Sequence, residues 1–124
     1  INAALGIAQI KKIKGFLKSK RKLFLSYSKI FKKIEGVQLY SEKKYSKSNY
    51  WLQTLILKKR YSHLKNKLIK AGYKRKIYMR PVWKLISELK PYKKHQKMNL
   101  SGAKKIYQTV ISLPSSQSLI RKFN

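Results

Sequence analysis

Apolar residues recur in steps of three and four from Ile13 through Phe16, Leu17, Leu23, Phe24, Tyr27, Ile30, Phe31 and Ile34, and lysine fills most positions between them. At 3.6 residues per turn this spacing puts the apolar groups on one helix face and the charges on the other. Gly36 follows where a left-handed C-cap would stand. Gly15 lies inside the run and costs about 1 kcal/mol relative to Ala, so the pattern predicts a long N-terminal helix bent or broken there. Residues 1–10 are apolar, and their alanines suit a helix buried on most sides. They carry neither a basic n-region nor a small-residue cleavage site, so they do not read as a secretory signal. The chain opens without Met and directly in a helical pattern, which reads as a piece of a longer chain.

Beyond the helix the period changes. Residues 37–40 read as a short extended piece and 41–48 as a polar loop. Residues 49–57 (NYWLQTLIL) combine aromatic and aliphatic groups without Gly or Pro, which marks a strand. Ser62 is placed to N-cap a helix running to Ala71, with Leu64, Leu68 and Ile69 inward and Gly72 at its C-cap. Residues 76–79 form a second strand, stopped by Pro81, and Pro91 breaks any long helix in 84–97. Asn99 N-caps a helix to about Val110 with Ala103, Ile106, Tyr107 and Val110 inward, and residues 111–113 give a third strand before Pro114. The expected fold class is α+β: a long helix, then a small, mainly antiparallel three-stranded sheet with helices on one face.

Composition then restricts the chemistry. Of 124 residues 43% are hydrophobic, enough for a core, yet 32 Lys and Arg face only Glu35, Glu42 and Glu88, and the formal net charge is +29. No Asp occurs, and the three Glu are scattered singly, so neither a paired-carboxylate hydrolase nor a carboxylate cage for Ca²⁺ or Mg²⁺ is available. Without Cys, disulfides, thiolate nucleophiles and Cys-held metals are also excluded. His63 and His95 stand far apart in sequence, which leaves a metal site short of ligands. No apolar run reaches the roughly 18 residues of a membrane span.

The positive charge has two readings of equal weight on composition alone. One is a polyanion partner bound through counterion release. The other is compositional drift, since the 27 Lys far outnumber the 5 Arg, whereas Arg is the better fork for phosphate and guanine. A small lysine-rich nucleic-acid-binding module is therefore the alternative function. It would need Tyr50, Trp51, Tyr73 and Tyr78 exposed on one sheet face. The helix over 11–34 has the charge and pattern to lie on anionic lipid, although such a stripe more often packs on its own domain. No phosphate-cradling glycine loop can be drawn.

Three strings carry more information: INAALGIAQIKKI at 1–13, SNYWLQTLIL at 48–57, and RPVWKLISELKPY, MNLSGAKKI and SLPSS between Arg80 and Ser116. In this order and spacing they resemble the C-terminal third of the DegT-type sugar-nucleotide aminotransferases, pyridoxal-phosphate enzymes of fold type I. The likeness covers 2–119 and is greatest to the branch that aminates a UDP-linked 4-keto sugar on the way to bacillosamine- or legionaminic-type sugars. It implies connecting helices at 1–35 and a small C-terminal domain at 36–124, with the large cofactor-binding domain absent.

The resemblance further implies a cytoplasmic homodimer that moves an amino group from glutamate to the sugar through pyridoxal 5'-phosphate. The Schiff-base lysine and the Asp that pairs with the pyridinium belong to the family's large domain, so this chain alone is expected to be inactive. Arg80 and Trp83 match the family's Arg-Pro-x-Trp string near the substrate entrance, and Arg80 suits either a diphosphate or a carboxylate. A surface Arg beside a packing Trp is the competing interpretation. Three departures stand out: Ser87 replaces a common His, Lys14 and Gly15 replace acidic residues, and the helix around Ser62 lacks its usual Arg-Asp start. They fit a lineage drifting under weak selection or a decaying gene remnant.

Overall fold

The computed structural model describes residues 1–122. Helix α1 (Asn2–Phe31) runs unbroken for 30 residues, so the break expected at Gly15 does not occur. A single glycine is outweighed by the Lys, Leu, Ala and Gln around it, all good helix formers. The helix stops at Phe31, and Gly36 lies further on, in the turn before the first strand, with φ +87. It is a turn residue and not the C-cap.

The sheet has four strands where three were expected. β1 (Val37–Leu39), β2 (Gln53–Leu57), β3 (Arg80–Pro81) and β4 (Val110–Leu113) lie in the order β1-β2-β4-β3, and every pairing is antiparallel. The extended piece at 37–39 becomes a strand because its alternation matches that of β2. Val37 faces Leu57, Leu39 faces Leu55, and the apolar members fall on one side. Residues 77–79 are irregular, and pairing begins only at Arg80. Pro81 belongs to this strand rather than stopping it, because β3 is at an edge, where a missing N–H is tolerated.

Phe24, Tyr27, Phe31, Val37 and Met79 pack around Leu39, Leu55 and Leu113. Register places Leu57 and Ile111 on that same face, both fully buried. The opposite face carries Gln38, Thr54, Ile56, Val110 and Ser112, and of these only Val110 is buried. The sheet thus has one face built for helices. α1 is about 45 Å long at 1.5 Å per residue and outruns so narrow a sheet. Only its second half packs, and Ile1, Leu5, Ile7, Ile10, Ile13 and Leu17 stay exposed. The burial expected for residues 1–10 is not met by this chain.

Ser62 does not cap a helix. A 3-10 turn (Lys59–Leu64) precedes α2 (Lys65–Lys74). At the far end of α2 the Ile77 N–H bonds the Gly72 carbonyl at 2.8 Å and the Lys76 N–H bonds that of Tyr73 at 2.9 Å. These two bonds make a Schellman motif with Lys76, at φ 59, in the position usually held by glycine. Gly72 lies inside the helix instead. A Cβ there would strike the Met79 side chain and the Ile77 carbonyl as the chain doubles back.

Between β3 and the last helix the chain makes two short 3-10 turns, Ile86–Glu88 and Lys90–Tyr92, the second built on Pro91. α3 (Ser101–Thr109) starts after an Asx turn in which Asn99 Oδ1 accepts from the Ser101 N–H at 2.9 Å. Val110 is buried as expected, but as the first residue of β4, and Ile106 is exposed.

Two lysines pin the elements together. Lys20 Nζ donates to the carbonyls of Trp51 and Ser115, while the Gln53 amide donates back to the Lys20 carbonyl. Lys65 Nζ donates to the Tyr107 carbonyl in the last turn of α3 and lies over the Tyr107 ring. Burial lowers the pKa of both amines below the ordinary lysine value.

Candidate functional site

Arg80 sits opposite Ser112 on the edge strand β3, and its side chain is exposed. Among the described residues it makes no side-chain hydrogen bond or ion pair. All five donors of its guanidinium are available to a ligand. It lines a cavity of about 690 Å³ together with Tyr27, Leu52, Lys76, Tyr78 and Leu119, a volume in the usual range for small-molecule sites.

The walls come from distant parts of the chain. α1 supplies Tyr27, whose hydroxyl donates to the Pro114 carbonyl at 2.9 Å and so fixes the exit of β4. Burial raises the pKa of that hydroxyl, which stays protonated. The Schellman turn supplies Lys76, and the irregular run behind it supplies Tyr78. The exits of β4 and the C-terminal 3-10 helix (Gln117–Lys122) add Ser112, Ser115, Ser116 and Leu119. The cavity is therefore mainly apolar, with hydroxyl groups and two cations, Lys76 and Arg80, in its lining. Such a lining suits a ligand with an anionic group attached to a less polar body.

Trp83 does not share this cavity. It is 79% exposed, three residues past Arg80, and is absent from the lining. Tyr27, Lys76 and Tyr78 share the cavity with Arg80 although no motif linked them. Lys76 and Tyr78 precede Arg80 at two-residue steps, a spacing that strand alternation could have grouped, whereas Tyr27 lies far off on α1 and joins them only through packing.

An aromatic platform for nucleic acid does not form. Tyr50 is buried and stacks on Phe24 with centroids 4.2 Å apart. Tyr73 and Tyr78 pack edge to face at 5.6 Å. Neither of these tyrosines, nor Tyr50 or Trp51, lies within a strand. A pyridoxal-phosphate pocket does not fit the residues present either. The sequence has no Asp for the pyridinium nitrogen, and the two lysines whose amine pKa burial lowers, Lys20 and Lys65, are both engaged with backbone carbonyls.

A long helix laid over one face of a small antiparallel sheet overlays parts of several enzymes of known structure. The chain overlays the aminotransferase TlmJ from Streptoalloteichus hindustanus with a TM-score of 0.84 at 17% identity, covering 94% of this chain and 31% of that one. Against Helicobacter pylori PseC, an aminotransferase involved in the biosynthesis of pseudoaminic acid, the TM-score is 0.85 at 25% identity, with 94% and 32% covered. The E. coli GDP-4-keto-6-deoxy-D-mannose-3-dehydratase, solved with bound hydrated PLP, gives 0.78 at 20% identity, with 92% and 30% covered. The chain thus spans about a third of the length of these proteins. No curated protein matches it in sequence. Residues 1–122 match the DegT/DnrJ/EryC1/StrS aminotransferase family, and the chain belongs to that family.

Proposed function

We propose that this chain is the connecting helix (1–35) and small domain (36–124) of a cytoplasmic, homodimeric sugar aminotransferase that uses glutamate to aminate a nucleotide-linked 4-keto sugar. The branch we favour is the one that acts on UDP-linked sugars of the bacillosamine or legionaminic type, on the joint order and spacing of the strings at 1–13, 48–57 and 80–116. The observation that carries the reading is the family match over residues 1–122, supported by sugar aminotransferases among the similar structures. When bound, pyridoxal phosphate supplies the electron sink for amino transfer. In this reading the residues that hold it lie mostly outside this chain, so we derive no step through it and expect the chain alone to be inactive.

In this reading Arg80 pairs with an anionic group of the substrate, the diphosphate of the nucleotide sugar or the carboxylate of glutamate. A guanidinium free of internal partners supports it, because binding then breaks no existing ion pair. Trp83, exposed beside β3, is a second substrate contact.

The first test is the coding DNA directly upstream of Ile1. An in-frame large domain with a Schiff-base lysine is expected, and its absence would overturn the enzymatic reading. In that longer protein, Arg80→Ala should raise KM for the nucleotide sugar or for glutamate about tenfold or more, the worth of a charge-assisted hydrogen bond. Unchanged KM for both would remove Arg80 from the site.

A further inference from the structure

A second cavity, of about 490 Å³, lies between α1 and the end of the loop before β2, lined by Lys14, Leu17, Lys18, Arg21, Lys47, Ser48 and Asn49. Lys14, Lys18 and Arg21 stand at i, i+4 and i+7, one above another on a single helix face. What brings the loop against them is a clamp. Arg21 meets Glu42 through both nitrogens, Nη1 at 2.5 Å and Nη2 at 3.2 Å, and Nη2 also donates to the Ser48 carbonyl at 3.1 Å. The Ser48 N–H donates to Glu42 Oε2 at 2.6 Å. The Arg21 guanidinium lies 5.0 Å over the Tyr50 ring.

The clamp uses up the acceptors. Both Glu42 oxygens and the Ser48 carbonyl are engaged with Arg21 or Ser48. Asn49 Oδ1 accepts from the Trp51 N–H, and Ser48 Oγ accepts from the Tyr50 N–H, each at 3.0 Å. What remains to face the cavity is donors: three ammonium groups, the Ser48 hydroxyl proton and the Asn49 amide NH₂. Among the described residues, Lys14, Lys18 and Lys47 make no hydrogen bond or ion pair. Three like charges around one hollow repel each other, and Glu42 already serves Arg21. A dianion or trianion would relieve that repulsion and take every free donor.

We propose that this cavity is a binding site for a phosphorylated small molecule. Its volume is that of a small-molecule pocket, and Leu17 gives it an apolar floor for the part of the ligand that carries the phosphate. The proposal uses none of the residues around Arg80.

The test must separate a site from the diffuse attraction of a chain at +29. Inorganic pyrophosphate is titrated into the full chain and followed by amide NMR and calorimetry. Two variants of equal charge are compared, Lys14→Gln/Lys18→Gln/Lys47→Gln and Lys90→Gln/Lys93→Gln/Lys94→Gln. Saturable shifts at the Ser48 and Asn49 amides are expected. Affinity should fall about tenfold or more in the first variant, as for lost charge-assisted bonds, and less than about twofold in the second, as for distant screened charges. Equal weakening in both, or shifts spread evenly over the lysine-rich surface, would overturn the site. If circular dichroism shows the first variant unfolded, Lys18→Gln alone should still weaken binding about threefold or more, and an unchanged affinity would overturn the proposal.

Discussion

Individual residues carry strain where the chain turns. Lys76 holds a left-handed conformation at the end of α2, φ 59, in a place where glycine is free of the Cβ penalty. Lys76→Gly should therefore stabilise the fold by about 1 kcal/mol, read as a higher midpoint in urea at unchanged slope. Gly36 is the reverse case. Its φ is +87, and a Cβ there would meet the Tyr61 ring, so Gly36→Ala should cost about 1–3 kcal/mol in the same measurement. A midpoint shift in the opposite direction for either variant would refute the conformational argument. The rule that glycine ends helices pointed to Gly36 and Gly72. The structure uses the first as a turn and the second for close approach, while a lysine closes the Schellman motif. Glycine's composition signal cannot tell these three demands apart, because all of them ask only for a missing Cβ.

At the scale of elements, the sequence revealed helices and apolar strands better than the points where they start. QTLIL was legible as β2 because its aliphatic residues run together without Gly or Pro. The preceding NYWL was not, since Ser48 and Asn49 bond the backbone two residues on and pull Tyr50 to φ 48. Of the site, Arg80 was legible from its motif, and Lys76 and Tyr78 lie four and two residues before it, whereas Tyr27 joins it only through tertiary packing. The loop at 41–48 is attached to α1 chiefly by Glu42, whose pKa is held below the ordinary 4.5 by hydrogen bonds from Arg21 and then from the Ser48 N–H. A carboxyl depressed in the folded state stabilises it above the unfolded value, and that contribution is lost as pH falls through the folded value. On acidification below about 4.5 the Ser48 amide should therefore shift before the core strands lose protection. Glu42→Gln should show the detached-loop shift already at neutral pH. Coincident loss of loop and core in the wild-type titration would contradict this order.

The whole molecule joins an unpaired apolar surface to a large like charge, and the two oppose each other. Ile10, Ile13 and Leu17 stand at i, i+3 and i+7 along one side of α1, all exposed. An uncovered helical stripe of this kind drives association. Lys11, Lys12, Lys14 and Lys18 flank it, and a chain at +29 repels its copies over a distance set by ionic strength, about 30 Å at 0.01 M and about 8 Å at 0.15 M salt. Repulsion should therefore win in dilute buffer and the apolar stripe in concentrated salt. Sedimentation of the 124-residue chain should show a monomer near 10 mM NaCl and growing association above about 0.15 M. This salt trend is opposite to that of phosphate binding, which weakens as counterions are added, so the two are separable in one series. Ile10→Gln with Ile13→Gln should hold the chain monomeric across the range, because the stripe is broken while the charge is untouched. Association that falls with salt, or that persists in the double variant, would mean that charge or another surface drives it. In a longer protein that covers this side of α1, the salt dependence should disappear.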